Sequence, residues 1–88
     1  MAVRAWLMVQ TDVGRARAVC DALASMQHPG ITVVQADTVT GPHDVIVRVE
    51  AEGVDALSDA TDDAVLRVGG VQHVLTCIAV HRESPGAS

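Results

Sequence analysis

Val39-Thr40-Gly41-Pro42-His43-Asp44-Val45-Ile46-Val47-Arg48-Val49-Glu50 joins a turn to a strongly alternating strand, and the rest of the chain is arranged around it. Gly41-Pro42 marks a turn, because Gly tolerates positive φ and Pro presets φ for one. The residues after the corner have period two. Val45, Val47 and Val49 fall on one face of a sheet, and Asp44, Ile46, Arg48 and Glu50 on the other. A strand that is apolar on one face and mixed on the other packs helices on the first side and meets water or a partner on the second. Upstream, residues 31–40 are rich in β-branched side chains and read as another strand, with a break in alternation at Val33-Val34 that signals a bulge. Only the corner Gly41-Pro42-His43 separates these strands, so they form a hairpin.

Working outward, residues 3–10 alternate as Val3, Ala5, Leu7, Val9 against Arg4, Trp6, Met8, Gln10, which is a third strand with one apolar face. Thr11 or Asp12 is placed to cap a helix on which Ala16, Val19, Cys20, Leu23 and Met26 recur at helical spacing. Gln27-His28-Pro29-Gly30 ends it. Beyond the hairpin, Glu52-Gly53 opens a second helix with Val54, Leu57, Ala60, Thr61, Ala64, Val65 and Val68 on one side, and Asp55 in the first turn where the helix dipole favours it. Residues 71–80 return to strand character after Gly69-Gly70. The order is β-α-β-β-α-β, an α+β ferredoxin-like pattern with two helices on one face of a four-stranded antiparallel sheet. One domain spans residues 1–82, and the polar residues 83–88 form a disordered tail.

Composition narrows the function. A chain of 88 residues buries only about 60 to 65% of its unfolded surface, and with 49% hydrophobic residues but Trp6 as the one aromatic, its core is small and aliphatic. The net charge of −5, with six scattered arginines as the only basic side chains, argues against direct nucleic-acid binding. No apolar run approaches the roughly 20 residues of a membrane span and no signal-peptide pattern opens the chain, so the expectation is a cytoplasmic protein without membrane contact. Cys20 and Cys77 read as free thiols rather than as a disulfide or a CxxC site. The sheet face away from the helices would carry Arg4, Trp6, Met8, Ile46, Arg48, Thr76, Ile78 and Val80. It is too apolar to leave in water, which predicts a face-to-face homodimer whose interface includes Arg4, Trp6, Met8, Ile46, Arg48 and Ile78.

Thr40-Gly41-Pro42-His43-Asp44-Val45-Ile46-Val47-Arg48-Val49-Glu50 resembles the signature of the effector-binding domain of Lrp/AsnC-type transcriptional regulators, also called the RAM domain. Residues 3–14 and 69–77 resemble it more weakly, in the right order, so the likeness covers nearly the whole chain. The resemblance implies dimers built across the sheets, assembly of dimers into octamers or similar rings, and a small amino-acid effector bound between subunits. It also implies site residues. Gly41, His43 and Asp44 correspond to the effector loop, and Thr76 to a pocket-lining hydroxyl of the last strand. His43 replaces the more usual Tyr, and Val74 stands where a Thr is common. Family regulators carry a helix-turn-helix that reads DNA. With strand one opening at Val3, the expectation is a module without its own DNA-binding domain, working through full-length Lrp/AsnC regulators as partners.

The hairpin suits such a ligand. Asp44 would accept from an ammonium group, and backbone N–H groups around Gly41 would take a carboxylate. Asp44 reads equally as a cap bonded within its own loop, His43 as an exposed turn residue and Thr76 as a strand residue. Neither a cofactor nor a metal is expected: His73, Cys77 and His81 share a face, but i and i+4 on a strand lie about 13 Å apart. A site combining them with His43 across subunits stays open. Two other functions also stay open. One is a pure homo-oligomeric scaffold; the other is a small dimeric α+β barrel enzyme using His43 and Asp44 as its acid–base pair, against which stands the non-enzymatic reading favoured here.

Overall fold

A computed structural model describes residues 2–81 of the chain. The elements run β1 (Val3–Thr11), α1 (Ala16–Ala24), β2 (Ile31–Thr38), β3 (Val45–Ala51), α2 (Val54–Asp63), a 3-10 turn (Val65–Arg67) and β4 (Val71–Ile78). All strand pairs are antiparallel, in the order β2-β3-β1-β4. This is the α+β ferredoxin-like arrangement. The tail beginning at Glu83 lies outside the described residues.

Alternation in β1 and β3 builds the core. Ala5, Leu7 and Val9 from β1 and Val45, Val47, Val49 and Ala51 from β3 are buried against Val19 and Leu23 of α1, Leu57 and Ala60 of α2, and Val65. The pairing Leu7 to Val47 sets the two central strands in register at the middle of this layer. Because side chains opposite one another share a face, a slip of one residue would carry the whole valine set to the wrong side.

Helix α1 begins at Ala16, and Arg15 before it supplies no side-chain cap. The expected caps are occupied elsewhere: Thr11 Oγ1 donates to Asp44, and Asp12 Oδ1 accepts from Gln72. The helix also stops earlier than Pro29 requires. Ser25 Oγ donates to the Asp21 and Ala22 carbonyls, and Met26 N–H turns back to Leu23 C=O, which closes the last turn. His28-Pro29-Gly30-Ile31 then forms a β-turn in which Ile31 N–H donates to His28 C=O and Gly30 has φ +79°. Pro at the second place and a positive-φ residue at the third are the demands of a type II turn, and Gly meets the latter without strain. Helix α2 ends at Asp63 instead of continuing through Val68. Asp62 and Asp63 sit at its C-terminal end, where the dipole disfavours negative charge, and the chain tightens into the 3-10 turn. His28 Nε2 lies 3.5 Å from Asp63 Oδ2, linking the α1–β2 turn to that end.

Strand β2 ends at Thr38, so the connection to β3 is Val39 through Asp44, longer than a three-residue corner. The expected bulge is present: the β2–β3 register shifts between Val33 and Gln35.

The last strand departs from the sequence reading. Thr76 pairs with Leu7 and Ile78 with Ala5, both core residues, so Thr76 and Ile78 lie on the helix side of the sheet. The open face receives His73, Leu75 and Cys77 instead, opposite Gln10, Met8 and Trp6. Val80 lies past the end of the strand. The placement of Thr76, Ile78 and Val80 with Trp6 and Met8 is therefore corrected. Arg4, Trp6, Met8, Ile46 and Arg48 do occupy the open face, because each alternates with a buried neighbour.

Candidate functional site

The β2–β3 corner is fastened to β1. Val39 N–H donates to Asp44 C=O at 2.9 Å and closes the loop, while Asp44 N–H donates to Val9 C=O at 2.9 Å. The Asp44 carboxylate reaches over the end of β1, where its Oδ2 accepts the Thr11 N–H at 2.8 Å and the Thr11 hydroxyl at 3.3 Å. Gln10 Nε2 donates to Pro42 C=O at 3.2 Å from the open face. Asp44 is thus neither free nor a cap within its own loop. It caps the neighbouring strand, and a backbone N–H held by a carboxylate is a charge-assisted contact of the stronger kind. Both bonds fall on Oδ2, and Oδ1 takes none from the described residues.

Beside it, His43 is half-buried, and its Nδ1 is shut from solvent without a hydrogen-bond partner among the described residues. An unsatisfied buried polar atom costs about 1–3 kcal/mol, so such atoms are informative where they persist. Gly41 is exposed and does not adopt positive φ, and a Cβ built on it meets nothing within 4 Å. The expectation that Gly41 supplies a left-handed turn residue is corrected. The proline after it favours extended backbone, and the longer loop turns without needing that conformation.

Thr76 is not brought to this corner within the chain. It lies level with Leu7 on the helix face, against a groove of about 180 Å³ lined by Val54, Leu57, Ser58, Thr61, Asp62 and Ile78. On the open face, Trp6 stands opposite Arg48 and Arg4 opposite Glu50. Together with Val34, which the bulge turns to this side, they line a hollow of about 180 Å³. No ion pair engages Arg4, Arg48 or Glu50 among the described residues. Cys77 Sγ lies 3.6 Å from Met8 Sδ on the same face. Cys20 lies on the helix side, where burial first, and then the charges of Asp21 and Asp37, push its thiol pKa up.

Sequence reading missed Gln10 and Thr11, which hold the corner. The only signal was a polar pair closing an apolar strand, and its meaning depends on the register that sets Val9 opposite Val45. Among the described residues no three of His, Cys, Asp and Glu gather to hold a metal ion, and no helix is long and apolar enough to cross a membrane.

The fold recurs in solved structures. A Thermus thermophilus protein, TTHA0845, superposes with a TM-score of 0.82 at 26% identity, covering 93% of this chain and 98% of that one. Hypothetical protein PHS023 from Pyrococcus horikoshii does so at 0.77 and 29% identity, covering 91% and 92%. The transcriptional regulator NMB0573 from Neisseria meningitidis, solved as a complex with L-Met, shares the fold at a TM-score of 0.75 and 20% identity; the match covers 93% of this chain and 52% of the regulator. No curated protein matches the chain. The model of the Lrp/AsnC ligand binding domain matches residues 4–87, which take in both helices and all of the strands described above but Val3, and the chain belongs to that family.

Proposed function

We infer that the protein is an effector-binding and oligomerisation module that takes a small amino acid or similar zwitterion at the β2–β3 corner, acts in the cytoplasm, and modulates transcription through partner regulators of the Lrp/AsnC type. The observation that carries this reading is the corner itself: a buried, unpartnered His43 Nδ1 next to a carboxylate held in place by Thr11. Asp44 Oδ1 would accept from the ligand ammonium. His43 would bond the ligand carboxylate or a polar side chain, and the exposed backbone near Gly41 admits close approach. Membership of a ligand-binding family supports the reading, as does the L-Met complex of the structurally similar Neisseria meningitidis regulator. The working unit would be a homodimer or larger assembly joined through the open sheet face. There Arg4, Arg48 and Glu50 lack ion-pair partners among the described residues, and Trp6 and Met8 leave apolar surface uncovered.

A second reading has its own observation. The Asp44–Thr11 bonds account for Asp44 structurally, which favours a scaffold that assembles without an effector. A thermal-shift panel of the common amino acids separates the two. A ligand present at 100 times its Kd adds about 2.7 kcal/mol to a folded state that alone binds it. A shift with one amino acid, lost in His43→Ala, supports the sensor. No shift at millimolar ligand, with the oligomer intact, refutes it in favour of the scaffold.

A further inference from the structure

Helix α2 and strand β4 leave a groove of about 180 Å³ between them on the helix side of the sheet. Leu57, 2% exposed, closes its bottom, and Val54 and Ile78 stand 56% and 40% exposed along it. Ser58 and Asp62 border it from the helix and Thr76 from the strand. Thr61 spends its hydroxyl proton on the Leu57 C=O at 2.9 Å and offers no donor there. Small-molecule sites run to about 300–1,000 Å³, so this groove has the size for one aliphatic side chain of something larger.

The helix beside it is acidic in a way the fold does not use. It carries Asp55, Asp59, Asp62 and Asp63 and no Lys or Arg. Asp55 sits in the first turn, where the dipole favours it, and Asp63 faces His28 at 3.5 Å. Asp59 and Asp62 have neither justification. Both are exposed, and no ion pair engages them among the described residues. Asp59 has like charges one turn away on both sides, at Asp55 and Asp63, and such pairs destabilise a helix. Asp62 stands at the carbonyl end, where the dipole opposes it. By helical spacing, Asp55, Asp59 and Asp62 form one stripe along the outer border of the groove.

We propose that the α2–β4 groove docks a cationic amphipathic helix of a partner protein, with an aliphatic side chain seated between Val54, Leu57 and Ile78 and Arg or Lys against Asp59 and Asp62. Charge selects this occupant. The stripe repels nucleic acid and anionic membrane surfaces, and a second copy would bring the same acidic helix against it. Strand β4 adds no competing charge, since Val71–Ile78 contains no Asp, Glu, Lys or Arg. Selectivity therefore rests on the aspartates and affinity on the apolar anchor, the division of labour usual where a helix lies in a groove. The groove shares no residue with the β2–β3 corner or the open sheet face. An amino-acid screen that stays silent leaves it standing, and its own failure leaves the effector reading untouched.

The probe is a fluorescent alanine-based peptide of about 15 residues, long enough to hold a helix in water, with one leucine flanked by arginines a turn away on each side. Anisotropy at about 0.15 M salt, where distant charges are screened, is expected to show saturable binding to the wild-type protein. Replacing the probe's leucine by alanine should weaken binding about tenfold, the worth of one buried aliphatic side chain. Asp59→Asn with Asp62→Asn should weaken it about fivefold, and this variant should melt no lower than the wild type, because repulsion within the helix is relieved. Asp21→Asn with Glu52→Gln removes the same charge from exposed positions elsewhere and should change binding by less than about twofold. Ser58→Arg plants a cation at the groove and should abolish binding without changing the protein's mass in light scattering. No binding at millimolar probe, indifference to the leucine, or equal losses in the two charge-neutralised variants overturns the proposal. So does a lower mass for Ser58→Arg, which would make a second copy the occupant, or spermine binding as tightly as the probe, which would make it a small polycation.

Discussion

Asp44→Ala removes the acceptor of the Thr11 amide bond at 2.8 Å and of the Thr11 hydroxyl bond at 3.3 Å. The amide bond is short and charge-assisted, in the class worth about 1.5–3 kcal/mol. Half-burial of Asp44 admits water to the site and places the cost toward the lower part of that range, about 2 kcal/mol. With an unfolding entropy of roughly 2.1 cal/mol/K per residue, a domain of this length loses about 0.18 kcal/mol per degree, and the midpoint should fall by about 11 °C. Asp44→Asn keeps an oxygen for the Thr11 N–H and forfeits the charge, so it should fall by about half as much. The assay is chemical and thermal unfolding at one fixed protein concentration, because assembly itself shifts the midpoint. Ligand response is read as the increment over each variant's own baseline, which keeps a lost binding group distinct from a loosened corner. An Asp44→Ala variant within about 0.5 kcal/mol of the wild type, the range of an inconsequential surface change, would refute the reasoning, since the corner would then not be held by this carboxylate.

Four more outcomes are expected. Gly30→Ala should cost about 1–2 kcal/mol, because φ is +79° and the new Cβ would stand 3.0 Å from Ala56 Cβ. Gly41→Ala should be neutral within about 0.5 kcal/mol, and equal losses on denaturant unfolding would contradict the turn assignment. Trp6→Glu should dissociate a sheet-to-sheet dimer, read by light scattering, while leaving the dichroism spectrum intact. In a Cys77→Ser variant, Cys20 should be alkylated more slowly than free cysteine at neutral pH. Its raised pKa keeps the thiol protonated there, so its rate should climb only as pH passes its ordinary value of 9.0.

The element order, the hairpin, the Val34 bulge and the inward valines were legible because each is a local pattern. β1 and β3 alternate cleanly, and burial follows the alternation residue by residue. β4 does not alternate cleanly: Val71-Gln72-His73-Val74-Leu75-Thr76-Cys77-Ile78 has apolar residues on both faces, so its inward side is set only by the pairing of Thr76 with Leu7. The corner was legible as a corner, and His43 and Asp44 as its notable residues. The partner of Asp44 was not, because Thr11 is distant in sequence and reaches it through tertiary register. Gly41 shows the converse: a residue suited to positive φ is not thereby found there, since chain length and the following proline decide the path.

The central place of β1 has a consequence for how the molecule can form. The first strand of the chain pairs with β3 from its middle and β4 from its end, and no neighbour in sequence can satisfy its edges. Contacts of such long sequence separation slow folding, because loop closure precedes the gain they bring. During synthesis, β1 emerges first and waits with both edges open until most of the chain has followed. Removing the last strand would therefore do more than shorten the sheet. It would strip one side of β1 and leave Trp6 and Met8 beside a bare edge, so the fold stands or falls as one cooperative piece.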